Sequence, residues 1–125
     1  MLIDAPFNDI TEQIIGGAIE VHRELGPGLM ESSYLACLCV ELQERKLRFE
    51  AERPLSIVYK GRSLDVSYRL DAIVEDQVVL ELKSVERLLG VHEAQVLTYM
   101  RLTNCPVGLL INFNVPRLVD GIRRV

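Results

Sequence analysis

Residues 69–84 read RLDAIVEDQVVLELKS: two runs of strand-forming residues separated by the polar triplet Glu75-Asp76-Gln77. Such a pattern predicts an antiparallel hairpin. Successive side chains in a strand point to opposite faces, so Glu81 and Lys83 share one face while Leu80 and Leu82 share the other. The loop length then fixes which residues meet. A three-residue loop at 75–77 pairs 74 with 78, and therefore 71 with 81, placing Asp71 opposite Glu81 on a common face. A two-residue loop would pair Asp71 with Leu80 and put the two carboxylates on opposite faces. The plain alternative is a strand with one solvated, charged face.

Two carboxylates held that close repel each other unless a proton or a cation lies between them. Mg²⁺ or Mn²⁺ suits such a site, being a hard ion that takes oxygen ligands. The peptide carbonyl of Leu82 is a further oxygen within reach. Lys83 would stand beside the attacking water, where an ammonium group stabilises developing negative charge. The parts suit attack on a phosphodiester.

The rest of the chain supplies a scaffold. Residues 8–25 read as a helix with Ile10, Ile14, Ala18 and Leu25 at helical spacing, and with Asn8 or Asp9 as N-cap; Asp9 and Glu12 have capping-box spacing. Gly16-Gly17 in its middle is costly and implies a close neighbour. Gly26-Pro27-Gly28 ends it. A second helix is expected over 29–46, with Leu35, Leu38 and Leu42 as its apolar stripe. The period then changes to two. Strands are expected at 49–53, 55–60, 66–74 and 78–84, with Lys60-Gly61-Arg62 as a turn. A helix follows at 91–102. The apolar strand VGLLINF at 107–113 reads as buried on both faces, and residues 121–125 read as a short edge strand. The order α-α-β-β-β-β-α-β-β describes one α/β or α+β domain spanning 1–125.

Composition closes off other classes. With 125 residues, 49% hydrophobic, the chain can bury a core and is too apolar to be disordered. Its longest apolar stretch, residues 34–40, falls far short of the roughly 20 residues needed to span a bilayer. The N-terminus has no secretory pattern, so a cytoplasmic location without membrane association is expected. Cys37, Cys39 and Cys105 are too few for a disulfide framework, which agrees. Net charge is −4, but unevenly spread. Residues 1–44 carry one Arg and eight acids, a net of −7; residues 45–69 carry seven Lys/Arg and three acids, a net of +4. The middle third can therefore present a basic surface, although ordinary solvated charge is the simpler use of most of these groups. No phosphate-binding glycine loop, GxSxG or HExxH motif is present.

With these residues in view, the chain resembles a known family. Asp71 followed by Glu81-Leu82-Lys83 looks like the D…(D/E)xK signature of the PD-(D/E)XK nuclease superfamily. Gly28-Leu29-Met30-Glu31-Ser32-Ser33-Tyr34 looks like the motif of the GxxExxY family within it. The segments at 19–34, 91–99 and 107–122 also resemble that family, and the likeness runs from about residue 8 to 125. Leu70 stands where the superfamily name has Pro, a position that is not itself a ligand.

The resemblance implies an α/β, restriction-endonuclease-like core, a mixed central β-sheet flanked by helices. It implies Asp71 and Glu81 as metal ligands, Lys83 as the residue assisting the water or the scissile phosphate, and Glu31 as a further member of the acidic cluster. It also implies a QxxxY pair, Gln95 and Tyr99, contacting substrate, and an early-helix histidine, His22, as a candidate ligand. Each has a structural alternative. Glu31 suits a helix N-terminus, Tyr34 and Tyr99 suit packing, His22 suits a satisfied boundary position, and His92 and Glu93 suit a helix start. The expected function is metal-dependent hydrolysis of DNA phosphodiester bonds. The alternative is a catalytically weak or inactive nuclease fold serving as a binding or assembly module, and a homo-oligomer is expected.

Overall fold

The computed structural model describes residues 8–125, except the side chains of residues 66 and 67. Helices α1 (Asn8–Leu25) and α2 (Glu31–Glu44) come first. Strands β1 (Phe49–Tyr59), β2 (Arg62–Val74) and β3 (Val78–Lys83) follow. Helix α3 (Gly90–Thr103) leads to β4 (Val107–Asn112), a 3₁₀ turn (Leu118–Gly121) and β5 (Ile122–Arg124). The strands form one five-stranded sheet in the order β1-β2-β3-β4-β5. Only β3 and β4 run parallel; the other neighbours are antiparallel. This is the expected α/β architecture, a mixed sheet flanked by helices.

Each face of the sheet has its own core. On one face, Ile14, Ala18 and Val21 of α1 and Leu35, Leu38 and Leu42 of α2 pack on Ala72, Val74, Leu80, Leu82, Leu109 and Ile111. On the other, Val96 and Tyr99 of α3 pack on Leu70, Ile73, Val79 and Leu110. Alternate residues of β3 and β4 thus feed both cores, and every residue of β4 is buried, as the continuous apolar run predicts. Each fully buried Leu or Ile contributes about 1.5–3 kcal/mol relative to an exposed position. The glycine pair of α1 has the neighbour it requires. A Cβ on Gly17 would lie 3.1 Å from Glu41 Cβ, so α1 and α2 cross closely there.

Four local expectations are corrected. The stretches 49–53 and 55–60 form one continuous strand, β1. Pro54 does not break it because β1 lies at the sheet edge, where a missing N–H is tolerated. Its partner β2 begins at Arg62, not at 66, so the hairpin is longer and turns at Lys60-Gly61, with Gly61 at φ 77°. Asn8 does not cap α1 with its side chain; its Oδ1 accepts a hydrogen bond from Arg124 at 2.7 Å and ties α1 to β5. Helix α2 is also shorter than 29–46, because Met30 is still extended (ψ 153°).

Candidate active site

The register of β2 and β3 follows the three-residue loop: Val74 faces Val78, Ile73 faces Val79 and Ala72 faces Leu80. The next pair would be Asp71 and Glu81, and there the backbone ladder stops. Side chains take over. Glu81 Oε1 accepts from the Asp71 N–H at 3.0 Å, and Asp71 Oδ2 accepts from the Leu82 N–H at 2.7 Å. The two strands are therefore spread apart at the acids and joined through their carboxylates. Across the sheet, Glu52 of β1 breaks the pattern at the same level with φ 53°.

Glu81 is buried and Asp71 half-buried. Burial, with the Asp71 charge beside it, pushes the Glu81 carboxyl up to about 8, although the Asp71 N–H and the Lys83 charge act the other way. The Asp71 carboxyl is also raised. Burial is the main cause, Glu31 and Glu52 add to it, and the Leu82 N–H and Lys83 oppose it. Two neighbouring acids that both resist ionisation describe a place short of positive charge.

Lys83 follows two residues after Glu81 on the α3 side of the sheet. Its Nζ donates to Gln95 Oε1 at 3.1 Å, and Gln95 Nε2 donates to Tyr99 Oη at 3.0 Å. Gln95 and Tyr99 are one turn apart on α3, so a single helix face orients the ammonium. Burial is the main cause that raises the Tyr99 hydroxyl, with Glu81 next. Glu31 arrives from the start of α2. Its Oε1 accepts from the Ser84 N–H at 3.3 Å, and it lines a cavity of about 230 Å³ together with Asp71, Glu52 and Arg69.

The GLMESSY segment explains this placement. Gly28 sits at φ 102°, which a side chain would strain. Tyr34 Oη donates to the Gly26 carbonyl at 2.6 Å and accepts from the Leu29 N–H at 3.1 Å. Its ring stacks on Phe113 with centroids 4.3 Å apart. The corner between α1 and α2 is thereby locked, and Glu31 is delivered to the end of β3. Tyr34 is a structural tyrosine, as its alternative reading holds.

His22 lies elsewhere. Its Nε2 is 2.8 Å from the Val115 carbonyl and its ring tilts against Phe113, the satisfied position that is its plain alternative. His92 accepts the Leu89 N–H on Nδ1 at 2.9 Å and so caps α3. The sequence reading does not single out Asn112 or Ser84. Asn112 is buried; its Oδ1 accepts from the Val85 N–H at 3.1 Å and its Nδ2 donates to the Val85 carbonyl at 2.9 Å. Ser84 Oγ donates to the Leu29 carbonyl at 2.7 Å. Both fix the chain just after Lys83. One amide inside the otherwise apolar VGLLINF run was the available signal for Asn112.

The donor set suits a hard cation. Among the described residues, the second oxygens, Asp71 Oδ1 and Glu81 Oε2, engage no hydrogen bond. No three His, Cys, Asp or Glu side chains among the described residues enclose an ion by themselves. An ion such as Mg²⁺ is ordinarily held by one or two carboxylates, with waters and substrate phosphates completing its shell. Asp71, Glu81 and the Leu82 carbonyl fit that pattern.

A mixed sheet flanked by helices, with an Asp on one strand and Glu-x-Lys on the next, is consistent with a PD-(D/E)XK nuclease-like fold. The family model of the PD-(D/E)XK nuclease superfamily matches residues 8–125, and the chain belongs to that superfamily. No curated protein and no solved structure matches the chain.

Proposed function

We propose that this protein is a divalent-metal-dependent nuclease that hydrolyses phosphodiester bonds of DNA. The observation that carries the reading is the open ladder at Asp71 and Glu81, with Lys83 held beside it by Gln95. Asp71, Glu81 and the Leu82 carbonyl would hold Mg²⁺ or Mn²⁺. Bound there, the ion would polarise the phosphate and acidify water. Lys83 directs its ammonium at the reacting phosphate and offsets charge that develops as the water oxygen bonds to phosphorus and the ester oxygen leaves. Gln95 and Tyr99 orient Lys83 and border the substrate path. Glu31 adds negative charge at the edge of the same cluster and raises the cation's local concentration. The basic residues between 45 and 69 supply backbone contacts. The GLMESSY segment further resembles the GxxExxY branch of the superfamily, and we assign the chain to it. Its three free cysteines agree with a cytoplasmic location. No helix of the described residues is long and apolar enough to cross a membrane.

The test is cleavage of labelled single- and double-stranded DNA with Mg²⁺, Mn²⁺ or EDTA. Activity that needs the metal and disappears in Glu81→Ala and Lys83→Ala supports the reading. Activity that persists in either variant refutes it.

A second reading, a nuclease fold retained for self-assembly, draws on one observation. Val58, Tyr59 and Leu64 stand exposed on the outer half of the β1–β2 hairpin. Light scattering of the wild type and of Val58→Asp separates the two: a dimer that Val58→Asp dissociates, without metal-dependent cleavage, favours assembly.

A further inference from the structure

Beside the acidic site runs a second feature that the hydrolytic reading does not use. A cavity of about 260 Å³ lies between the β1–β2 hairpin and α3, lined by Ile57, Tyr68, Gln95, Thr98, Tyr99 and Leu102. Its lining is mostly apolar. Tyr68 pairs with Leu55 across the hairpin and stands 47% exposed, and Leu102 stands 45% exposed. Among the described residues, Tyr68 makes no hydrogen bond, so its ring is held by the strand and open to a partner.

One side chain links the cavity to Lys83. Gln95 lines the cavity, and its Oε1 accepts from Lys83 Nζ at 3.1 Å. A phosphate drawn to Lys83 therefore places the next nucleotide of its strand against Gln95. Beyond the cavity, the outer half of the hairpin, residues 56–67, carries Lys60 and Arg62 against Asp65. Neither Lys60 nor Arg62 is in an ion pair among the described residues. From the acids outward, the order is cation site, ammonium, apolar slot with an open aromatic ring, and basic turn.

That order fits one kind of strand. In a duplex, base faces are covered by stacking. A single strand offers base faces that aromatic rings accept regardless of sequence. We propose that the slot receives a nucleobase adjacent to the scissile phosphate, stacked on Tyr68, and that the substrate is single-stranded DNA. The inference rests on the nuclease reading for the position of the phosphate. Tyr68 is the specificity-determining residue, and Leu102 closes the slot from α3. Lys60 and Arg62 meet the backbone of the outgoing strand.

Fluorescence anisotropy with a labelled 20-nucleotide oligo(dT) and a 20-base-pair duplex tests it. Ca²⁺ serves as the cation, and oligonucleotide length is checked on a gel afterwards. Tyr68→Ala weakens single-strand binding roughly 5- to 150-fold, the range of one lost base–aromatic stack, and leaves duplex binding within about twofold. Tyr68→Phe, which keeps the ring, retains wild-type affinity. Circular dichroism confirms that each variant is folded. The inference is overturned if Tyr68→Ala binds oligo(dT) as the wild type does, if it loses single strand and duplex alike, or if the wild type does not bind oligo(dT). Cleavage in Mn²⁺ is scored separately. Tyr68-dependent binding without any cleavage supports the slot and removes the nuclease reading. Cleavage with Tyr68 irrelevant to binding leaves the nuclease reading and removes the slot.

Discussion

Glu81 Oε1 accepts the backbone N–H of Asp71 at 3.0 Å, across the gap where the β2–β3 pairing ends. Asp71 answers with Oδ2 on the Leu82 N–H. Each acid satisfies a backbone donor that spreading the strands would otherwise orphan. An unpaired buried donor costs about 1–3 kcal/mol, so this bonding offsets part of the penalty for placing two carboxyls in a poorly solvated place.

The first consequence is a pH dependence of stability. The Glu81 carboxyl is pushed to about 8 against an ordinary 4.5, and Asp71 is shifted in the same direction. Between those limits the folded chain keeps a proton that the unfolded chain has released. Stability without metal therefore falls as pH rises from about 4.5 to about 8. The loss is on the order of a few kcal/mol at most. Urea denaturation in EDTA at pH 5 and pH 8 measures it, and Glu81→Gln should remove most of the slope. Equal midpoints at both pH values in the wild type would contradict the assignment.

Divalent cation should reverse that trend. Mn²⁺ competes with the proton, so its stabilisation grows with pH. At about 100 times its dissociation constant it adds about 2.7 kcal/mol. Thermal unfolding with and without Mn²⁺ at pH 8 should show the increment in the wild type and none in Asp71→Ala.

Lys83 and Gln95 should separate catalysis from metal binding. Lys83→Ala is expected to lower kcat by about 10²–10³, the range for loss of one transition-state donor. Gln95→Ala leaves the ammonium in place but unanchored and should cost about tenfold. Calorimetric Mn²⁺ affinity should not weaken in either variant. A Gln95→Ala protein with wild-type kcat would remove its positioning role.

The corner between α1 and α2 offers a purely structural check. Tyr34→Phe keeps the stack on Phe113 but leaves the Leu29 N–H and Gly26 carbonyl without their shared partner. The expected cost is about 1–3 kcal/mol of stability, read from urea midpoints. Cleavage by the folded fraction should change little, because Glu31 itself is untouched.

The part of the site that depends on chain counting was legible in the sequence. Three loop residues fix the pairing of β2 with β3, and pairing fixes which side chains meet. Glu81 and Lys83 share a face by strand alternation; Gln95 and Tyr99 came only from the family resemblance, and helical spacing then puts them on one face. What alternation could not reveal is that the ladder opens at Asp71 and Glu81, at the level where Glu52 of a third strand has φ 53°. The hairpin length was missed because Pro54 reads as a break unless its strand is known to be an edge. Asn112 was missed because its amide is satisfied largely by Val85, a partner 27 residues away in sequence, with the Asn114 N–H as the local one. His22 shows the reverse: a potential ligand by residue type, but held by the Val115 carbonyl, which sequence spacing cannot connect to it.

The most direct measurement of the central claim is a crystal of the wild type soaked in Mn²⁺, with an anomalous difference map. The account predicts one strong peak between the Asp71 and Glu81 carboxylates, in reach of the Leu82 carbonyl, that vanishes in Asp71→Ala. A fully occupied peak bound elsewhere, or no peak between the two acids at a Mn²⁺ concentration that stabilises the protein, would contradict it.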